Sequence, residues 1–176
     1  RMLHPKYGRL RIRASRSLLR NSVLDVDAII RTEMAYSAGI GMEQYFLTGI
    51  GAAQPLGFMV NSALGVSTAR NVNTGNTAIA ISADNLREVK YSVKSNYSPK
   101  WYGHRDWVRR VSLLKDGNQQ YLWTPGIREG DSDMLLGAPI RQSEYAPNTF
   151  TAGLVAAAYA DLSRYFVLIA LDMEML

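Results

Sequence analysis

NSVLDVDAIIRTEMAYSAGIGMEQYFLTGIG, residues 21–51, decides how this chain is organised. Apolar side chains recur at Val26, Ile29, Ile30, Met34, Ala38 and Met42, with Tyr45 and Phe46 closing the run. That is close to the three-and-four spacing of one helix face. Arg31, Glu33, Tyr36, Ser37 and Glu43 fall largely off the stripe. Asn21 and Ser22 can accept hydrogen bonds from the free amides of a first turn, and Asp25 and Asp27 set negative charge near the positive end of the helix dipole. Gly49 and Gly51 can take the left-handed conformation that ends a helix. About 25 residues at about 1.5 Å each predict a rod of roughly 37 Å. Globular helices average about 11–12 residues, so this one reads as a strut more than a packing element. Gly39 and Gly41 each cost about 1 kcal/mol against alanine. Their presence predicts a backbone crossing closely there or a bend.

On the N-terminal side, Gly8 to Ala14 alternates polar and apolar residues and predicts a strand with one wet face. Ser15 to Arg20 leads into the helix. On the other side, Pro55 and Gly57 predict an extended turn over Ala52 to Val60 that opens a second lobe. Ser62 to Gly75 reads as loop and Thr77 to Ile81 as a short strand. Ser82 caps a second helix, lined by Leu86, Val89 and Val93 and ending before Pro99. Arg105 to Lys115 is a third helix with Trp107, Val108, Val111 and Leu114 inside. Asp116-Gly117-Asn118 is a turn. Strands are expected at Tyr121 to Trp123, Met134 to Ile140, Leu154 to Tyr159 and Tyr165 to Leu171, with a loop from Thr124 to Asp133. The irregular alternation of strands and helices makes the chain α+β.

With 176 residues, 47% of them hydrophobic, the chain can build a core and is not a disordered segment. No apolar run approaches the roughly 20 residues of a membrane span, and RMLHPKYGRLRIR holds no apolar stretch of the signal-peptide kind. Cysteine is absent, which removes disulfides and thiolate metal sites and fits synthesis in a cytoplasm. The net charge is +5, and Arg1, Lys6, Arg9, Arg11, Arg13, Arg16 and Arg20 all precede the first acid, Asp25. This basic front suits nucleic acid or an acidic neighbouring subunit. It equally suits a solvated strand edge on which charge blocks stray pairing. The chain starts mid-pattern and stops at Asp172-Met173-Glu174-Met175-Leu176 without a polar tail, which reads as a fragment of a longer chain.

Little in the sequence points to catalysis. His4 and His104 stand far apart, and no spacing suggests a metal. Gly49-Ile50-Gly51 closes a helix instead of opening one and lacks a following Lys-Ser/Thr, so it is no phosphate cradle. Glu43, Glu88, Asp106, Asp116, Asp131, Asp133, Glu144 and Asp161 show no acid–base spacing. An enzyme would need a pocket gathering Asp106, Glu144 or Asp161 with His104, and none is expected. Trp101, Trp107 and Trp123, with Tyr91, Tyr97 and Tyr102, could form a base-stacking platform, but their spacing suits a core better. Arg105-Asp106 reads as a local cap and ion pair.

Taken in order, several stretches form a recognisable string. Arg11 to Arg20 (RIRASRSLLR), the strut helix and Phe46 to Gly57 (FLTGIGAAQPLG) resemble the major capsid proteins of tailed bacteriophages, with the Hong Kong 97-type fold. So do His104 to Trp123 (HRDWVRRVSLLKDGNQQYLW), Leu135 to Pro147 (LLGAPIRQSEYAP) and Ala156 to Leu168 (AAAYADLSRYFVL). Tyr159-Ala160-Asp161 stands where Phe-Gly-Asp is more usual in that family. Each motif is weak alone, but in register they cover nearly the whole chain.

The resemblance implies that residues 1–22 are the returning limb of an extended loop over a neighbouring subunit. It implies that 23–50 are the spine helix of a peripheral lobe, 51–155 an axial lobe, and 156–176 the start of a return to the peripheral lobe. Arg9, Arg11, Arg13, Arg16 and Arg20 become candidates for subunit contact, and Gly49, Gly51, Pro55 and Gly57 for the structural turn. It implies a non-enzymatic homo-oligomer of pentamers and hexamers, without cofactor or membrane, made in a bacterial cytoplasm and located in the virion. Packaged DNA would be touched non-specifically, and scaffold and portal proteins are further expected partners. Lys6 lies near the limb, but a covalent cross-link between subunits cannot be placed from these residues. An encapsulin-type compartment shell shares the fold and is the first alternative. A nucleic-acid-binding module built on the basic front and the aromatics is the second, and it predicts salt-sensitive binding by a monomer.

Overall fold

The computed structural model of the protein describes residues 8–15, 25–62, 69, 71–72, 81–124, 133–151 and 154–164. Its dominant element is helix α1, Val26–Thr48, 23 residues without interruption, or about 35 Å at about 1.5 Å per residue. The cap is Asp25, whose Oδ1 accepts from Ala28 N at 3.1 Å. The expected caps, Asn21 and Ser22, lie outside the described residues. Asp27 pairs with Arg31 one turn on, at 2.7 Å, an exposed i,i+4 pair of the kind that contributes a few tenths of a kcal/mol. Leu47 alone of the helix is buried. Ile29, Tyr36, Met42 and Tyr45 stand exposed.

Of the two expectations at Gly39 and Gly41, a close crossing is absent among the described residues. The helix runs through both, and a Cβ at either would meet no atom within 4 Å. No described backbone crosses there.

The remaining elements make a small mixed lobe. In chain order they are α2 (Ala83–Ser92), β1 (Lys100–Gly103), α3 (Arg105–Ser112), β2 (Met134–Leu135), β3 (Ala138–Gln142) and β4 (Ala157–Ala160), followed by a 3₁₀ turn at Leu162–Arg164. The strands form one sheet in the order β2-β3-β1-β4. β1 runs parallel to β3, with Trp101 opposite Ile140, and antiparallel to β4, with Trp101 opposite Tyr159.

Strand alternation gives the sheet two occupied faces. Trp101 and Gly103 turn to a core with Leu86 of α2 and Trp107, Val108 and Val111 of α3. Trp101 stacks on Trp107 at 5.7 Å between ring centres and tilts on Tyr159 at 4.5 Å. A Cβ at Gly103 would lie 3.0 Å from Trp107 Cε3, so the glycine is what lets the indole seat on the sheet. The buried Trp101 indole donates to Leu135 O at 3.0 Å, which satisfies its only polar atom. On the opposite face, Tyr102 meets Phe58 edge-on at 5.8 Å. Beside them Leu47, Met59 and Ala146 form a second cluster that takes in Ala158 of β4. The foot of α1 therefore packs on the side of the sheet away from α2 and α3.

Local signals were accurate where a helix cap decided the outcome. Ser82 accepts from Asp84 N, and α2 follows it. α3 begins at Arg105 as expected but stops at Ser112, three residues early, with Leu113 as its cap.

Strands were less accurate. Gly8 to Ser15 belongs to no strand, because no described segment pairs with it. Tyr121 contributes one bridge, to Lys115, and residues 122–124 belong to no strand. Asp116 Oδ1 there accepts from Asn118 N and Gln120 N and closes a tight loop. Met134 to Ile140 is not one strand but an antiparallel hairpin, β2–β3. Leu136 (φ 51°) and Gly137 (φ 81°) form its turn, and two positive φ angles in succession match the twist of a two-residue hairpin. The strand expected at Leu154 to Tyr159 shifts to Ala157–Ala160. Most of Thr77 to Ile81, and all of Tyr165 to Leu171, lie outside the described residues.

Candidate subunit interface

Three of the five arginines proposed for contact, Arg9, Arg11 and Arg13, are described; Arg16 and Arg20 are not. Every residue from Gly8 to Ser15 is exposed. Leu10 keeps 45% and Ile12 39% of its surface open, so the apolar face of the alternation is uncovered along with the charged one. None of the three arginines makes an ion pair among the described residues, whereas Arg31, Arg87, Arg105 and Arg109 all do. Arg9, Arg11 and Arg13 thus present positive charge beside the exposed side chains of Leu10 and Ile12.

The turn residues come together after α1. Gly57 N donates to Gly49 O at 2.8 Å, and Phe58 N and Met59 N donate to Phe46 O and Leu47 O, both at 3.0 Å. The chain leaving the helix folds straight back on its last turn. Gly49 is extended (φ −63°, ψ 138°), not left-handed as expected. Glycine is needed there for room: a Cβ would collide with Pro55 O and approach Tyr45 O to 2.5 Å. At Gly57 a Cβ would sit 2.5 Å from Leu47 O. Gly51 is the left-handed residue of the set, at φ 82°, and Ile50 and Leu56 bridge on either side of the turn.

A second tie joins helix and lobe. Ser143 Oγ donates to Glu43 Oε1 at 2.5 Å, across 100 residues of sequence. Ser143 N also donates to Gly103 O at 3.1 Å. No sequence spacing announces this contact.

The histidine departs from expectation. Asp106 and Glu144 do gather around His104: Nε2 lies 3.2 Å from Glu144 Oε2, and Nδ1 lies 3.3 Å from Asp106 Oδ2. The imidazole is the N-cap of α3. Its Nδ1 accepts from Asp106 N at 3.1 Å, which leaves the proton on Nε2, facing Glu144. Arg105 closes on the other oxygen of Glu144 at 3.4 Å. The histidine side chain is only 4% exposed, so a substrate cannot reach the ring, and the cluster fastens the start of α3 to the end of β3. Asp161 is engaged elsewhere, accepting from Ser98 N and from Ser163. Among the described residues no group of three or more metal-ligating side chains occurs, and no helix is long and apolar enough to cross a membrane.

The aromatic set divides. Trp101 and Trp107 are core, and Trp123 is half-buried with its indole donating to Met134 O at 2.8 Å. Tyr102 is half-buried, and burial raises its phenol above the ordinary 10.0, with Arg141 opposing the shift and Asp161 adding to it. Burial also raises Tyr159. Tyr91 and Tyr97 break from the core reading: both are exposed, Tyr91 by 80%.

The model of the phage capsid family matches residues 6–176, nearly the whole chain. The chain belongs to the phage capsid family. Two solved structures share its fold: the capsid of a native GTA particle with C5 symmetry (TM-score 0.67) and that of an empty GTA particle (TM-score 0.65). Each is 23% identical, and the match covers 84% of this chain and 53% of the other. At that identity the likeness speaks for the fold alone, the Hong Kong 97-type capsid fold, with α1 as its long helix. This phage capsid family chain spans about half the length of the capsid chains it matches. No curated protein matches it.

Proposed function

We propose that the protein is a structural, non-enzymatic subunit that assembles with copies of itself into the closed shell of a tailed-phage-type particle around double-stranded DNA. Membership of the phage capsid family and the likeness to capsids with C5 symmetry support the shell. The observation that carries self-assembly is the exposed Gly8 to Ala14 segment, with Leu10 and Ile12 alternating with Arg9, Arg11 and Arg13. A chain that leaves such a segment bare covers it in a larger assembly. Heterologous contacts of this kind close into rings when the rotation allows. Total interface area then holds the shell, without any single pocket.

In this reading residues 1–22 are a limb laid over the neighbouring subunit, with Arg9, Arg11, Arg13, Arg16 and Arg20 at the contact. Residues 23–50 are the spine, 51–155 the axial lobe and 156–176 the return. Gly49, Gly51, Pro55 and Gly57 set the junction between spine and lobe. The particle is assembled in the bacterial host, with scaffold and portal proteins as its other partners.

Negative-stain electron microscopy of the full-length gene product, with sedimentation beside it, tests this. Closed shells, or pentamers and hexamers, are expected. A monomer at high concentration, with and without its scaffold protein, would overturn the reading. Arg9→Ala/Arg11→Ala/Arg13→Ala should leave the subunit folded and shift it from shells toward free subunits.

A further inference from the structure

KYSVKSNYSPK, residues 90–100, joins the last turn of α2 to β1. Nine of its eleven residues are Lys, Tyr, Ser or Asn, side chains that hydrogen-bond phosphate oxygens without reading sequence. No carboxylate occurs from Val89 through Arg105. Residues 94–98 are exposed without a break, and so is Tyr91. Lys90 at the end of α2 suits the negative end of the helix dipole, but Lys94 and Lys100 lie beyond the helix and gain nothing from it. Lys90, Lys94 and Lys100 form no ion pair among the described residues. Lys90 rests instead near the Tyr91 ring, 5.7 Å from its centre. The lobe arginines nearest in sequence, Arg87, Arg105 and Arg109, are each neutralised by a carboxylate. The nearest acids in sequence are Asp84 and Glu88 on α2 and Asp106, which faces His104 and Arg109; Asp161 reaches the strip at Ser98 N and also accepts from Ser163.

We infer that this strip, with Lys90, Lys94 and Lys100 as its charges and Tyr91 and Tyr97 beside them, is a sequence-independent contact surface for the phosphate backbone of duplex DNA. The inference deepens the shell reading, on which it rests, by naming a surface of the lobe turned toward the packaged polyanion. Three lysines that neutralise phosphates release counterions, and binding then weakens steeply with salt.

The test uses the full-length gene product and a fluorescent duplex of about 30 base pairs, titrated between about 50 and 200 mM salt. Lys90→Ala/Lys94→Ala/Lys100→Ala should flatten the slope of log affinity against log salt by about 2.7, at about 0.9 per phosphate. Lys94→Ala alone, on exposed chain past the helix, should flatten it by about 0.9 and keeps the test valid if the triple variant misfolds. Arg9→Ala/Arg11→Ala/Arg13→Ala should leave the strip's own contribution in place. A folded variant with an unchanged slope overturns the inference. So does wild-type protein that binds phosphatidylserine vesicles but not the duplex, which would assign the strip to a lipid surface. Shells with an unchanged slope sink this inference and spare the capsid reading. A slope carried by these lysines in a protein that never forms shells sinks the capsid reading and spares the DNA contact.

Discussion

Helix α1 and the sheet lobe are built on opposite terms. The lobe buries two tryptophans face to face, satisfies one indole on β2 and seats the other on a glycine. The helix buries one leucine in 23 residues and leaves two tyrosines, a methionine and an isoleucine in solvent. The lobe owes its shape to its own packing. The helix holds together by its backbone ladder and its cap, and it meets the lobe through Leu47, Glu43 and the glycine turn. Isolated helices are marginal in water, and in the proposed shell a neighbouring subunit would supply the support that this rod lacks.

The sharpest break in that contrast is Trp107→Ala. Removing a buried aromatic should cost about 3–5 kcal/mol and unfold the lobe at markedly lower urea, read by tryptophan fluorescence. A small loss would mean that the lobe is not the self-sufficient half. Next comes the junction. Gly57→Ala drives a Cβ toward Leu47 O, and overpacking of this kind costs about 1–3 kcal/mol. The expected signature is a lower urea midpoint together with exposure of Phe58 and Tyr102 to a fluorescence quencher.

Asp25→Ala removes the helix cap and should cost about 1 kcal/mol. Amide exchange should quicken in the first turns of α1 and stay unchanged in β1.

The lobe should also respond to alkali. Tyr102 and Tyr159 have phenols raised above 10.0 by burial. Their protonated forms are therefore favoured by folding. That stability is complete below the unfolded value and is lost as pH climbs through the folded one. Urea midpoints should be level from neutral pH to about 10 and fall above it, and Tyr102→Phe should lessen the fall.

The smallest effect is expected at Tyr36→Ser, within about 0.5 kcal/mol in the free subunit because the ring touches so little. A larger loss in the assembled particle, measured by its dissociation in urea, would show that a neighbour covers the ring.

What could be read from the sequence followed the same division. α1, α2 and α3 were legible because caps and three-and-four periodicity are local: Ser82 with Asp84, and Trp107 with Val108 and Val111. The sheet was not, because parallel pairing of Trp101 with Ile140 spans 39 residues of sequence and depends on contacts that no short window holds. The Leu136-Gly137 turn was missed although Gly137 signalled it, since Leu136 is a rare non-glycine at positive φ. The exposed arginine alternation and the turn that closes α1 could be named in advance. The Ser143–Glu43 tie and the His104 cap could not. Spacing suggests a core place for Tyr91 and Tyr97, yet both are exposed. The run of Lys, Ser and Asn around them was the signal against it.

The fold-back of Gly57 onto Gly49 fastens α1 at its foot and leaves a long arm beyond it. A rotation of about 10° at that foot would sweep the far end of a helix of about 35 Å through about 6 Å, more than the spacing between neighbouring strands. Small changes in four turn residues are therefore magnified at the distant end. In a closed particle such an arm would convert a change too slight to disturb the lobe into a change of curvature.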